Sequence, residues 1–555
     1  MNSPANGSPA PSSWAEARGA PPPNVLFIIT DQQRADHNGF SGNGVIRTPH
    51  LDALAARGTV FDNAWVANPV CMPNRSTIMT GRMPSSHGVV FNDRSLEPGA
   101  NTHVRQFRAA GYRTALIGKS HLQHGMSRNA VNPSDLAGGP VDEYWPKGWD
   151  SHEDAERYLD GAPEFPDSFY GFGHVELAID HGARASGHHL LWALDRGGRM
   201  EDLYVPLTAE SPARRRSDIW WQVYEPPYDP ELHSSSFVAD RTIAFIEAAV
   251  GAGDPWLAWA SFPDPHHPMT PPGEWFERHR PSDMLLPMSV DDPLEGAPEY
   301  LQAISRIHPR DQRHWVTPCG VAGDHDLVRE AIAATYGMIE LIDDRIGRIF
   351  AALDRLDQTG NTIIVFTSDH GDMMGDHGLM LKGYMHYRGT LAVPMVIADP
   401  RREPGRTDSL AGSIDLGPTL LDLAGVKPFE GMTGRSLAPV LDDPSASVRD
   451  DVLIEDDFPG ALVSRVRLPA RTRTLVTAGM RLTRHSTGEE QIFDTDADPH
   501  ETSPLGGSDP ARRAEMYERL AAAMMEADDL ARGMPMTVDG ATRARARADS
   551  GALSW

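Results

Sequence analysis

Two short runs constrain this chain more than anything else in it: Asn24–Thr30 (NVLFIIT) and residues 361–368 (NTIIVFTS). Both are apolar and rich in β-branched residues, and neither alternates with polar side chains. Strands of that kind sit inside a sheet covered on both faces. Each run stops at a polar pair, Asp31-Gln32 and Asp369-His370. Further strands are expected at residues 112–117 and 393–398. Helices are expected at 51–57 and at 328–356, where Ile332, Tyr336, Ile339, Ile342 and Ile346 fall near helical spacing. Strands alternating with helices predict an α/β fold with a large, mostly parallel sheet flanked by helices. Ligands in such folds bind at the carboxyl ends of strands, so the two polar pairs can share one crevice despite their distance in sequence.

The sheet-bearing domain is expected over residues 23–442, behind a flexible tail at 1–22. Stretches near 125–230 and 271–324, weakly periodic or irregular, read as insertions over the crevice, where substrate choice often resides. Past residue 442 short strands are expected at 453–455, 474–477 and 491–493. A helix follows at 511–530, with Met516, Leu520 and Met524 on one face. This predicts a small α+β C-terminal domain with an antiparallel sheet over 443–532, and a tail at 533–555 that leaves room for a homodimer or higher homo-oligomer. The net charge of −26 argues against nucleic acid or an anionic membrane surface as a partner. An anionic substrate therefore requires cations gathered locally against the global field. The two cysteines, Cys71 and Cys319, make no disulfide framework. The N-terminus lacks a basic and apolar leader, and no apolar run reaches the roughly 18 residues of a membrane span. A cytoplasmic protein is the expectation.

The sharpest motif is Cys71-Met72-Pro73-Asn74-Arg75, followed by Ser76 and by Thr80-Gly81-Arg82. A lone free cysteine before a helix is commonly just a small buried apolar residue. Here Pro73 suits a first helical turn, which puts Cys71 where the helix dipole favours anions. Arg75 lies one turn on and can face the same point. C-x-P-x-R followed by T-G resembles the signature of type I, formylglycine-dependent sulfatases of the alkaline phosphatase superfamily, near the arylsulfatase, choline sulfatase and phosphonate monoester hydrolase branches. The resemblance runs over roughly residues 24–500. It implies an alkaline phosphatase-like catalytic domain, and a maturation enzyme that oxidises Cys71 to formylglycine, whose hydrate is the nucleophile.

The resemblance also implies site residues. Asp31, Gln32, Asp369 and His370, with residue 71, match the ligands of one divalent metal ion. Oxygen ligands suit calcium, and the imidazole widens the choice to manganese or zinc. Many sulfatases carry Asp-Asp where this chain has Asp31-Gln32, and the Gln form is similar to the phosphonate monoester hydrolase and choline sulfatase branches. Gly118-Lys119-Ser120-His121 resembles the sulfatase G-K-x-H segment, which pulls the other way, towards sulfate. Pro265-His266-His267-Pro268 resembles P-H-x-P, with His266 as the match; His267 is either structural or substrate-facing. Lys382 stands where sulfatases keep a sulfate-binding lysine, and Asn92 where related branches direct an asparagine to the substrate oxygens. His377 and His386 are assigned to loop structure. Residues 415–419, 434–437 and 492–501 look like family framework.

In the mechanism so implied, one hydroxyl of the residue 71 hydrate attacks sulfur. The other then loses its proton, and collapse to the aldehyde expels sulfate by C–O cleavage. Arg75 and Lys119 orient the diol, while Lys119, Lys382 and His266 neutralise the small anionic ester. His266 or Lys382 protonates the leaving group, and His121 is the base for collapse. Three readings stay open: a sulfuric ester hydrolase, a phosphonate monoester or phosphodiester hydrolase on the same scaffold, and a non-catalytic metal-binding relative that never matures Cys71.

Overall fold

The computed structural model describes residues 21–92, 94–124, 148–312, 318–321, 323–458, 468–506 and 509–527. Most of the expected N-terminal tail, the first part of the 125–230 insertion, the end of the last helix and the C-terminal tail lie outside the described residues. The main sheet has eight strands: β1 (Asn24–Thr30), β2 (Thr59–Phe61), β3 (Arg113–Gly118), β4 (His174–Leu177), β5 (Trp256–Ser261), β6 (Thr362–Ser368), β7 (Met395–Ala398) and β8 (Gly405–Thr407). Their order is β8-β2-β7-β6-β1-β5-β3-β4. The run β6-β1-β5-β3-β4 is parallel throughout. β7 pairs antiparallel with both β6 and β2, so the sheet is mixed towards that edge.

The five helices that matter below are α1 (Pro49–Ala55), α2 (Cys71–Thr80), α3 (Ser234–Ala252), α4 (His325–Arg355) and α5 (Pro510–Ala527). The α1 and α4 bounds lie within three residues of the expected ones. β1 is buried at every position, and its side chains alternate between two cores. Val25, Phe27 and Ile29 join Met72, Ile78 and Met79 of α2 on one face. Leu26 and Ile28 join Phe237 and Val238 of α3, and Ile342 and Ile346 of α4, on the other. Burying each such side chain contributes about 1.5–3 kcal/mol.

The register explains the crevice. Thr30 pairs with Ser368, so β1 and β6 end level and release Asp31 and Asp369 side by side. β5 pairs with both β1 and β3, bringing Ser261 and Gly118 to the same end. Two features differ from the sequence expectation. β5 (WLAWAS) carries tryptophan and alanine where the other central strands carry β-branched residues, so no apolar β-branched run marks it; Trp259 instead stacks on Phe27 with ring centroids 4.1 Å apart. And β4 lies inside the stretch read as an insertion, which is therefore partly framework.

Beyond the main sheet, β9 (Asp451–Asp457), β10 (Arg471–Thr477), β11 (Met480–His485) and β12 (Glu490–Asp494) form an antiparallel meander. α5 lies on it through Met516 and Leu520, as their spacing predicted. No helix among the described residues is long and apolar enough to cross a membrane.

Several histidines are buried as neutral rings in this frame. Burial lowers His103 and His189 from the usual 6.5 to about 4. Burial, with help from Arg481 and Arg473, lowers His386 to about 3. The unfolded chain therefore binds more protons than the folded one below pH 6.5, and stability falls as pH falls. Each ring contributes roughly 1 kcal/mol per pH unit in that range. Equilibrium unfolding followed between pH 7.5 and 5 is expected to show a steadily falling midpoint; a flat profile over that span contradicts the assignment.

Candidate active site

Cys71 is the first residue of α2, entered from an extended Val70 (φ −129°, ψ 143°). The Oδ1 of Asn92 accepts from the Met72 N–H at 3.0 Å, so Asn92 caps the first turn of this helix. Asn74 fixes the same turn from the other side. Its amide donates to the Asp369 carbonyl at 2.6 Å, and its Oδ1 accepts from Ala67 N–H and Ser413 Oγ. The Cys71 sulfur is buried, 3.1 Å from His370 Nε2 and 3.8 Å from Asp31 Oδ1, and accepts from Lys382 Nζ at 2.6 Å. Burial and Asp31 push the thiol up, but Lys119, Lys382 and His370 outweigh them and hold it below its usual 9.0.

Arg75 does not reach the sulfur by any hydrogen bond described; it is spent on the strand ends. Its Nε donates to Asp369 Oδ2 at 2.7 Å, and its Nη1 to Ser261 Oγ at 2.8 Å and the Lys119 carbonyl at 3.1 Å. Nη2 lies 3.7 Å from Asp31 Oδ2. Asp369 Oδ1 accepts from the Gln32 N–H at 3.1 Å. Gln32 itself has φ +66°, and its side-chain amide turns to Asp372 and to His267 Nδ1. Burial raises Asp31, but Lys119, His266, His181 and Lys382 together hold it well below the usual carboxylate range.

The Lys119 ammonium contacts both Asp31 Oδ2 and His181 Nε2. Its place depends on Gly118, which has φ +102° and whose absent side chain leaves room for the Ser261 carbonyl. His121 follows with φ +54°. Glu153 clamps that loop, accepting from the N–H groups of His121, Leu122 and Gln123 at 2.7, 3.0 and 2.9 Å. The His121 ring lies 6.4 Å from His181, edge to face. His181 stacks on His266 at 3.6 Å between centroids, and His266 stacks on His267 at 4.1 Å. Lys382 also reaches His370 Nε2 at 2.9 Å. Cys71, Asn92, His121, His181, His266 and Lys382 all line one cavity of about 240 Å³. His377 and His386 are held elsewhere, by Asp292 at 2.6 Å and by Asp456 at 3.2 Å.

The donor set fits a divalent cation. Ligand atoms of Asp31, Cys71, Asp369 and His370 lie within 4.8 Å of one another, all buried. His370 Nδ1 sits 2.9 Å from the Gly371 carbonyl; donation there keeps the proton on Nδ1 and turns the Nε2 lone pair to the cluster. Gln32 contributes its backbone N–H to this group, while its side chain faces Asp372 and His267. Thus the structure gathers Cys71, Arg75, Lys119, His121, His266, Lys382 and Asn92 around one point, with Arg75 and Asn92 in bracing contacts. His181 and Glu153 were not singled out in the sequence. Both come from the stretch with no readable periodicity, and only the fold brings them here.

Comparison with known proteins agrees with this geometry. Residues 23–426 match the Sulfatase family. The chain belongs to the sulfatase family. Residues 375–528 also match the C-terminal part of N-sulphoglucosamine sulphohydrolase. This sulfatase is 29% identical over 514 residues to an arylsulfatase of Clostridium perfringens, covering 90% of this chain and 93% of that protein. It is 26% identical over 488 residues to a choline-sulfatase of Rhizobium meliloti, covering 87% and 82%. The fold is similar to the phosphonate monoester hydrolase of Agrobacterium radiobacter, with a TM-score of 0.71 and 24% identity over 91% of this chain and 95% of that one. The sulfatase is thus an enzyme of the alkaline phosphatase superfamily.

Gly118 yields the sharpest local prediction. A Cβ there would lie 1.8 Å from the Ser261 carbonyl oxygen, at a φ that side chains rarely adopt. Gly118→Ala is expected to cost at least about 1–3 kcal/mol in backbone strain and to displace Lys119. Thermal denaturation and turnover should both suffer; a variant with the melting temperature and turnover of the wild type contradicts the account.

Proposed function

We propose that this sulfatase hydrolyses a sulfate monoester, using residue 71, oxidised from cysteine to formylglycine, as its nucleophile. The observation that carries this reading is the setting of Cys71. It starts a helix, at the focus of Lys382, Lys119 and three metal-type donors, in a chain of net charge −26. Asp31, Asp369, His370 and residue 71 would hold the metal ion, with calcium or manganese favoured by the carboxylates and the single imidazole. When bound, it supplies positive charge next to the nucleophile and the ester oxygens.

The protein's own groups divide the remaining work. Arg75 and the Gln32 N–H hold the Asp369 carboxylate from two sides, which fixes its orientation. Lys382, in contact with residue 71, and Lys119, against Asp31, bring two ammonium groups to the site and neutralise the sulfate. Cys71, Asp31 and Asp369 outweigh burial and leave Lys382 above its usual 10.5; once residue 71 is oxidised, the two carboxylates still favour the ammonium, whose proton can pass to the leaving oxygen. Burial, then Lys119, holds His121 well below 6.5. A neutral imidazole there can accept the proton of the second hydroxyl. His266, lowered by burial and then by His181, enters as a neutral ring; its Nδ1 sits 2.6 Å from the His267 carbonyl, so Nε2 keeps its lone pair. Phosphonate monoesters and phosphodiesters carry the same single negative charge as a sulfate monoester, which makes them the second reading for this site.

Mass spectrometry of the residue 71 peptide from protein made with a formylglycine-generating enzyme is expected to show the aldehyde. Cys71→Ala should lower kcat by roughly 10³-fold or more. On matured protein, kcat/KM for an aryl sulfate should exceed that for a phenyl phosphonate monoester and a bis-aryl phosphate. A phosphonate rate far above the sulfate rate moves the activity to the second reading, and no turnover at all with an unmodified cysteine points to the non-catalytic one. Asp369→Asn is expected to lower bound metal in elemental analysis together with activity.

A further inference from the structure

We propose that His181 is a positioning residue of this active site, which holds the Lys119 ammonium in place against Asp31 and fixes the plane of the His266 ring; this rests on the sulfate-ester reading above. Three contacts carry it. His181 Nε2 lies in hydrogen-bond contact with Lys119 Nζ. An ammonium has three donors and no acceptor, so the ring nitrogen is the acceptor in that contact. The same Nε2 is 3.5 Å from Asp31 Oδ2, which also contacts Nζ. On its face, the ring stacks against His266 at 3.6 Å with planes 19° apart.

The local chain is shaped for this. His181 follows β4 and precedes Gly182, whose φ is +59°. A Cβ on Gly182 would come 3.0 Å from the Pro268 carbonyl, so the turn lies directly on the segment that carries His266. His181 is 3% exposed and lines the catalytic cavity. Ligand atoms of Asp31, His181 and His266 also lie within 4.8 Å of one another, the pattern of a cation site. Lys119 Nζ contacts two of the three, so the cation this trio serves is the lysine's own. Without an acceptor from His181, Nζ keeps Asp31 but loses the second anchor that sets its direction. The penalty falls on turnover more than on substrate capture, because Lys382 still draws the anion in.

Two variants separate the contacts. His181→Phe keeps a ring to stack on His266 but removes the acceptor, and His181→Gln restores an acceptor without the stack. His181→Phe is expected to lower kcat 10- to 100-fold with little change in KM and an unchanged melting temperature. His181→Gln should recover part of that loss. In a cycle with Lys119→Ala, adding His181→Phe should cost less than about threefold further, because the histidine acts through the lysine. The place of the Lys119 ammonium is also read in a crystal structure of His181→Phe, which needs no turnover: Nζ is expected to keep Asp31 and to leave the position it holds in the wild type. Wild-type kcat in His181→Phe, fully additive kcat losses in the cycle, or an unmoved Lys119 Nζ in that structure overturns the proposal. If the wild type turns over no sulfate ester, the functional reading fails, and the position of Lys119 in the variant alone decides His181.

Discussion

One buried guanidinium ties together the carboxyl ends of four parallel strands. Arg75 contacts Asp369 after β6, Ser261 at the end of β5, the Lys119 carbonyl after β3, and Asp31 after β1 at 3.7 Å. It is 1% exposed, so it forgoes nearly all hydration. Such a group is tolerable only when its donors are met by charges and carbonyls of fixed geometry. Removing one partner of a buried pair costs about 3–5 kcal/mol, because the other charge is left unpaired. The strand ends and α2 are therefore not independently placed. The position of Cys71 follows from the position of Arg75 one turn along, and Asn74 repeats the link through the Asp369 carbonyl.

This clamp also resolves the electrostatic problem posed by an acidic chain. With a net charge of −26, long-range attraction of an anion is unfavourable, and only short-range cations in a water-poor cavity can reverse the sign. The crevice is built accordingly. Arg75, Lys119 and Lys382 face two carboxylates, Asp31 and Asp369. Asp264, next to Asp31 in space, is pushed up to about 8 by burial and by Asp31's charge, so at neutral pH it adds little negative charge. Burial holds His121, His181 and His266 below 6.5, so these rings contribute lone pairs, N–H groups and stacking surfaces, whereas the hydrogen bond to Asp150 raises His124 on the same cavity wall.

What was legible in the sequence was local. The strand-end pairs could be read because β1 and β6 are unbroken apolar runs that stop at polar residues, and their equal register then makes the crevice. The cysteine motif could be read because a helix start, an arginine one turn on and a T-G end all lie within twelve residues. β5 was not legible, since Trp256, Ala258 and Trp259 lack the β-branched signature, and Trp259 is buried by stacking on Phe27. The antiparallel turn of β7 leaves no mark in its composition. Glu153 and His181 were invisible for a different reason. A carboxylate that clamps three backbone N–H groups, or an imidazole that meets a lysine, is set by tertiary approach and has no spacing to detect. The direction of the Gln32 side chain belongs to the same class, because it depends on Asp372 and His267, far away in sequence.

That direction separates two signals that pull against each other along the chain. Gln32 resembles the phosphonate monoester hydrolase and choline sulfatase branches, and Lys119 with His121 resembles the sulfatase segment that pulls towards sulfate. In the folded protein they act in different places. Gln32 works on the metal-type cluster through its N–H to Asp369, and its amide faces Asp372 and His267. Lys119 and His121 lie beyond Asp31, on the loop clamped by Glu153. Among the described contacts, no hydrogen bond joins Gln32 to Lys119 or His121; Arg75 links them only through Asp369 and the Lys119 carbonyl. On the reading proposed above, the Gln32 N–H helps to orient Asp369, while His121 takes the proton whose loss lets residue 71 release the anion. The two family markers thus sit in separate contacts of one scaffold, which is how one chain can carry both.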